Sequence, residues 1–165
     1  MKVWRLIHGQ SETIAGTVYG TIVVLSMLTA GAADYARDPW RLVAIVVSGT
    51  IVLWAAHVYA HGLGESSKAK RRLDAPEVAQ IARREASILL AGVLPTAAVA
   101  VGALDLVSAR FALWLALGAG VATLILQGVR YARLESLSPA GTALTVAVNL
   151  GFGLVFVGLK ALLAH

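Results

Sequence analysis

Two histidines and a glutamate recur every four residues in the segment WAAHVYAHGLGE, from Trp54 to Glu65. On a helix this spacing puts His57, His61 and Glu65 on one side, about a turn apart. Two imidazoles so placed can reach one ion, and imidazole suits zinc, copper, nickel or iron(II). Glu65 or Glu12 would supply oxygen, so a divalent metal is the one cofactor this stripe suggests. Histidine also titrates near neutral pH and carboxylates can extend a relay, so proton transfer is a second chemistry open to the same residues. A third reading is structural: the histidines hydrogen-bond between helices, and Glu65 stays solvated beside a nearby Lys or Arg.

The stripe lies at the end of a long apolar stretch, and the composition explains why. Of 165 residues, 58% are hydrophobic and 14% charged, with mean hydropathy +0.77, far from the balance of a soluble domain. The expected fold is all-α and polytopic, a single integral membrane domain over residues 1–165. Five segments reach the roughly 20 apolar residues that a helix needs to cross the hydrocarbon core. They are about 13–33, 42–62, 87–107, 111–131 and 141–163. Only the connection at 63–86 is long. In it Asp74 and Glu77 form a capping pair, so a helix is expected to begin near Ala75 and run straight into span three.

Positive charges give the orientation. Ten fall on one side, at Lys2, Arg5, Lys68, Lys70, Arg71, Arg72, Arg83, Arg84, Arg130 and Arg133. Four fall on the other, at Arg37, Arg41, Arg110 and Lys160. The first side should be cytoplasmic in a bacterial inner membrane, with the N-terminus inside and the C-terminus outside. The bilayer is the principal partner, and Lys68, Lys70, Arg71 and Arg72 could meet anionic lipid. No basic motif matches a nucleic-acid reader, and nucleic acid is not an expected partner. There are no cysteines, which excludes disulfides, thiolate metal sites and cysteine nucleophiles.

With that orientation, Glu12 opens span one, and Gln127 and Arg130 close span four, at a depth similar to that of His57. If spans one, two and four meet, they frame a polar vestibule on the cytoplasmic side. Asn149 lies near the middle of span five, where its amide can bind across to another helix or attend a local opening. Gly16, Gly20, Gly118, Gly120, Gly151 and Gly153 offer close helix packing, within one chain or in a homo-oligomer. Pro95 should kink span three near Ala91 to Pro95. Trp40, Trp54, Trp114, Tyr35, Tyr59 and Tyr131 stand mostly towards span ends as interface anchors, with Trp54 deeper.

No Gly-x-Ser-x-Gly elbow, phosphate loop, dinucleotide fingerprint or His-Glu-x-x-His site occurs. The chain resembles small multi-pass bacterial membrane proteins without an assigned role. More faintly, Ser11-Glu12 opening span one, Gly64-Glu65-Ser66 closing span two and the helical element between spans two and three resemble vacuolar-iron-transporter-like proteins. That resemblance implies a dimer exchanging divalent metal for protons, with Glu12 and Glu65 lining the path. The expected function is a small transporter or channel for cations or protons. The alternatives are a non-transporting scaffold or accessory subunit, and a membrane-bound metal-dependent enzyme.

Overall fold

Local signals in the sequence set where each helix starts. Pro39 opens one helix behind Asp38, whose carboxylate accepts the Arg41 N–H at 3.1 Å. Asp74 and Glu77 close a reciprocal capping box: Glu77 N–H donates to Asp74 Oδ1 and Asp74 N–H to Glu77 Oε2, both at 2.9 Å. Ser108 and Ser138 accept from Phe111 N–H and Gly141 N–H at 3.3 and 3.2 Å. The resulting computed structural model describes the backbone of residues 2–35 and 37–163, with side chains from residue 13 onward except at 36, 160 and 163.

Six helices follow in order: α1 (Lys2–Gly31), α2 (Pro39–Ala69), α3 (Ala75–Arg84), α4 (Ala86–Ala103), α5 (Ala109–Leu134) and α6 (Pro139–Leu163). Among the described residues there is no strand, and five helices are long and apolar enough to cross a bilayer. The protein is therefore an all-α polytopic membrane protein. Its apolar stretches are Thr13–Gly31, Pro39–Ala69, Ala86–Ala103, Ala109–Leu134 and Pro139–Leu159, within a few residues of the expected spans except that α2 runs further, to Ala69.

The helix beginning at Ala75 does not run straight into span three. It ends at Arg84, and Glu85 forms a turn before α4 starts at Ala86. Ile88 N–H donates to Glu85 O at 3.0 Å, a tighter i to i−3 bond at the join. The break has a packing reason. Ile81 and Glu85 are both buried, whereas Arg83 and most of the N-terminal half of α3 stay exposed. At Pro95, by contrast, α4 remains helical, with the proline ring buried.

Helix α1 is the centre of the bundle. It packs on α2, α4, α5 and α6, whereas α2 leans on α1, α3 and α4, and α6 on α5 and α1. The core is Val24, Leu25, Leu28, Leu42, Val46, Val99, Leu117 and Leu124. Lipid tails are as apolar as these side chains, so close backbone approach has to supply much of the packing. Gly16 and Gly20 provide it between α1 and α4: a Cβ at Gly20 would stand 3.0 Å from Ile88 O. Gly120 faces Leu25, and Gly153 faces Val121. Gly118 and Gly151 depart from expectation, since a Cβ at either would meet nothing within 4 Å. Gly92 against Thr50 and Gly102 against Tyr35 take that packing role instead. Tyr35 is likewise no interface anchor. It is buried, and its hydroxyl donates to Val99 O, tying the α1–α2 connection to α4.

Candidate functional site

The four-residue spacing along α2 survives, but each member of the stripe turns to a different partner. The rings of His57 and His61 are 6.2 Å apart between centroids, edge to face. His57 Nδ1–H donates to Leu53 O of its own helix at 3.1 Å, which leaves Nε2 as the ring's acceptor. Its ring lies 4.9 Å from that of Tyr19 on α1. One turn further on, His61 Nδ1–H donates to Glu85 Oε1 at 2.6 Å, reaching across to the join of α3 and α4. Beyond it, Glu65 Oε1 accepts Arg84 Nη2–H at 2.9 Å.

These contacts link into one chain of charge. Arg84 Nε stands 3.6 Å from Glu85 Oε1, so the order is His61, Glu85, Arg84, Glu65, alternating in sign when His61 is protonated. Burial is uneven along the chain. The Glu85 side chain is 8% exposed, whereas that of His61 is 49% exposed. A buried carboxylate is costly without a partner, and here the partner is a ring with one side in solvent. Trp54 closes the same junction from within the membrane, its Nε1–H donating to Ala82 O at 3.0 Å.

Among the described residues no three His, Cys, Asp or Glu side chains come together as a metal-holding group. His57, His61 and Glu65 do not converge, because Leu53 O, Glu85 and Arg84 take their polar atoms in three places. The side chain of Glu12 lies outside the described residues. Of the three spans, α1 packs on both α2 and α5, while α2 leans mainly on α1, α3 and α4, and α5 on α1, α4 and α6. Gln127 is buried on α5, where its Oε1 accepts Arg130 Nη1–H at 3.2 Å. Asn149 Nδ2–H donates to Thr145 O of its own helix at 3.2 Å and lies against Gly128, at the α5–α6 seam. A cleft of about 400 Å³ between α2 and α4 is mostly apolar, lined by Val47, Ile51, Leu89 and Val93 with Thr50 and Thr96, and contains none of these residues.

Glu85 and Arg84 are thus the site residues that spacing along α2 does not reveal. A signal for Glu85 exists: Ile81 and Glu85 are four apart, so the face that anchors α3 through Ile81 carries Glu85 inward with it. The comparisons with protein families, curated proteins and solved structures find no match for the chain.

Proposed function

We propose that the protein moves protons or cations across a bacterial inner membrane, and that the His61–Glu85 pair is its cytoplasmic proton-holding site. The observation that carries this reading is a carboxylate side chain at the membrane end that is 8% exposed and bonded at 2.6 Å to a half-exposed imidazole. Histidine is the side chain whose charge changes around neutral pH, and an ionisable pair at membrane depth is expensive to keep for structure alone. The wet side of the pair is His61 and the dry side is Glu85. His57 and Tyr19, a turn deeper, are next in line. The orientation places the N-terminus in the cytoplasm and the C-terminus outside, and Glu12 and Glu65 are the further acidic groups of a cation path.

Proteoliposomes with an internal pH-sensitive dye test this. An imposed pH gradient, with potassium and valinomycin clamping the potential, should collapse faster with wild type than with empty vesicles. His61→Ala and Glu85→Gln should slow the flux about tenfold or more. Wild-type vesicles as tight as empty ones would remove the reading. A second reading, a non-transporting scaffold that meets a partner, a second copy or anionic lipid, draws on a different observation. The buried hydroxyls of Thr17, Thr21, Thr29 and Thr50 each donate to a carbonyl of their own helix, a pattern that serves packing, and Thr29 alone of the four also reaches another helix, at Phe156 O of α6, 3.4 Å away.

A further inference from the structure

Charge at the α2–α3 turn does not balance, and the imbalance faces outward. The segment from Glu65 to Glu85 holds four carboxylates, at Glu65, Asp74, Glu77 and Glu85, and each has an internal partner. Glu65 accepts from Arg84, Glu85 from His61, Asp74 from the Glu77 N–H, and Glu77 from both Arg71 and the Asp74 N–H. Arg71 and Arg84 are consumed in these pairs. Lys68, Lys70, Arg72 and Arg83 are all exposed, and none makes an ion pair among the described residues.

The turn that carries Lys68 and Lys70 and leads to Arg72 is fixed. Lys70 N–H donates to Ser67 O, Arg71 N–H to Ser66 O at 3.3 Å, and Ser66 Oγ–H to Arg71 O at 2.7 Å. Lys70 itself sits at φ 53, in the left-handed region where glycine or asparagine is the easier residue. Lys68, Lys70 and Arg72 therefore stand on or beside an ordered turn that ends a membrane-crossing helix, and Arg83 lies on α3. After the turn, α3 buries Ile81 and exposes Val78, an apolar side chain on a helix that otherwise carries charge, the composition of an element that lies against a membrane surface.

We infer that Lys68, Lys70, Arg72 and Arg83 form a binding surface for the phosphate headgroup of an anionic phospholipid of the surrounding bilayer. The set differs from the one that the sequence suggests: Arg71 is withdrawn by Glu77, and Arg83 joins from α3. Lys and Arg beside a membrane gain from the negative surface potential, and a group of four with no internal counter-charge is what such a surface requires. The surface is separate from the proton-holding pair and stands whether or not the protein transports.

The test uses the full chain in neutral detergent, with native mass spectrometry counting retained phosphatidylglycerol against phosphatidylcholine. Wild type should retain phosphatidylglycerol preferentially, and the preference should fall as salt rises from about 0.05 to about 0.5 M. The variant Lys68→Gln/Lys70→Gln/Arg72→Gln/Arg83→Gln should lose most of it, about tenfold in relative retention. Arg37→Gln/Arg41→Gln on the other side should keep it, as should His61→Ala, which separates this surface from the transport reading. Equal retention of both lipids by wild type, an unchanged preference in the fourfold variant, or displacement of phosphatidylglycerol by millimolar inorganic phosphate would each overturn the inference.

Discussion

Removing either partner of the His61–Glu85 bond should destabilise the protein unequally, and combining the changes should restore part of the loss. In His61→Ala the carboxylate of Glu85 stays buried and loses the hydrogen bond at 2.6 Å. Its remaining charged neighbour is Arg84 Nε at 3.6 Å, beyond hydrogen-bonding distance. A buried charged group deprived of its bond costs about 1.5–3 kcal/mol. Glu85→Gln is milder, because the amide oxygen can still accept from His61 and no charge is left in the dry part of the site. His61 has half its surface in solvent and rehydrates, so about 0.5 kcal/mol is expected. In the double variant His61→Ala/Glu85→Gln no buried carboxylate remains to be stranded, and it should be about 1 kcal/mol more stable than His61→Ala alone. Thermal unfolding in detergent at neutral pH, followed by tryptophan fluorescence, reads this order, because Trp54 reports on the same junction through its bond to Ala82 O. For a chain of this size, 2 kcal/mol corresponds to about 4–8 °C in Tm. A double variant no more stable than His61→Ala, or Glu85→Gln as damaging as His61→Ala, would show that Glu85 is not held as a charge by His61.

Two further outcomes follow from positions that look alike in the sequence. Gly20→Ala should cost about 1–3 kcal/mol, because its Cβ would meet the Ile88 backbone at 3.0–3.1 Å, whereas Gly151→Ala meets open space and should gain up to about 1 kcal/mol in helix propensity; equal Tm values for the two variants would refute the assigned packing. Glu77 is held at about 2, against an ordinary 4.5, first by the Arg71 guanidinium and then by the Asp74 N–H. Because its folded value is depressed, it contributes stability that is complete above 4.5 and lost as pH falls towards 2. Amide exchange of the first turn of α3, corrected for intrinsic rates, should therefore quicken on acidification through that window in wild type and not in Glu77→Gln.

The spans and helix starts are legible because they depend on neighbours in sequence. Hydropathy over about 20 residues marks a crossing helix whatever it packs against, and the Asp74–Glu77 box is closed within four residues. The partners of the stripe are not legible in the same way. The spacing of His57, His61 and Glu65 fixes a shared face, but what stands opposite depends on the order of helices around α1. That order puts α3 and α4 beside α2, and α5 beyond them. The apolar residues of α2 run nearly all round it, so its own pattern does not point to a neighbour. The glycines fail for the same reason. Gly118 and Gly120 differ by two residues, a rotation of about 200° on a helix, so one meets Leu25 and the other open space.

The ionisable residues and the packed middle of the bundle together restrict how any proton could pass. Beyond His57, the centre is filled by Val24, Leu25, Leu28, Val99 and Leu117, all fully buried; Thr21 bonds to its own helix, and Thr29 to its own helix and, at 3.4 Å, to Phe156 O of α6. Among the described residues this middle is close-packed, so on the transport reading conduction through the monomer would require the helices to move. The element with the fewest ties is α3. It is joined to α2 by the Trp54 bond and the His61–Glu85 and Glu65–Arg84 pairs, and to the interior by Ile81. Two of these ties contain a titratable carboxylate and one a histidine. Protonation of Glu85 would remove the charge that His61 and Arg84 hold, loosening the side of α4 that begins at that residue. Proton binding and helix movement would then be a single event at Glu85, and a change there should alter the shape of the bundle as well as its charge.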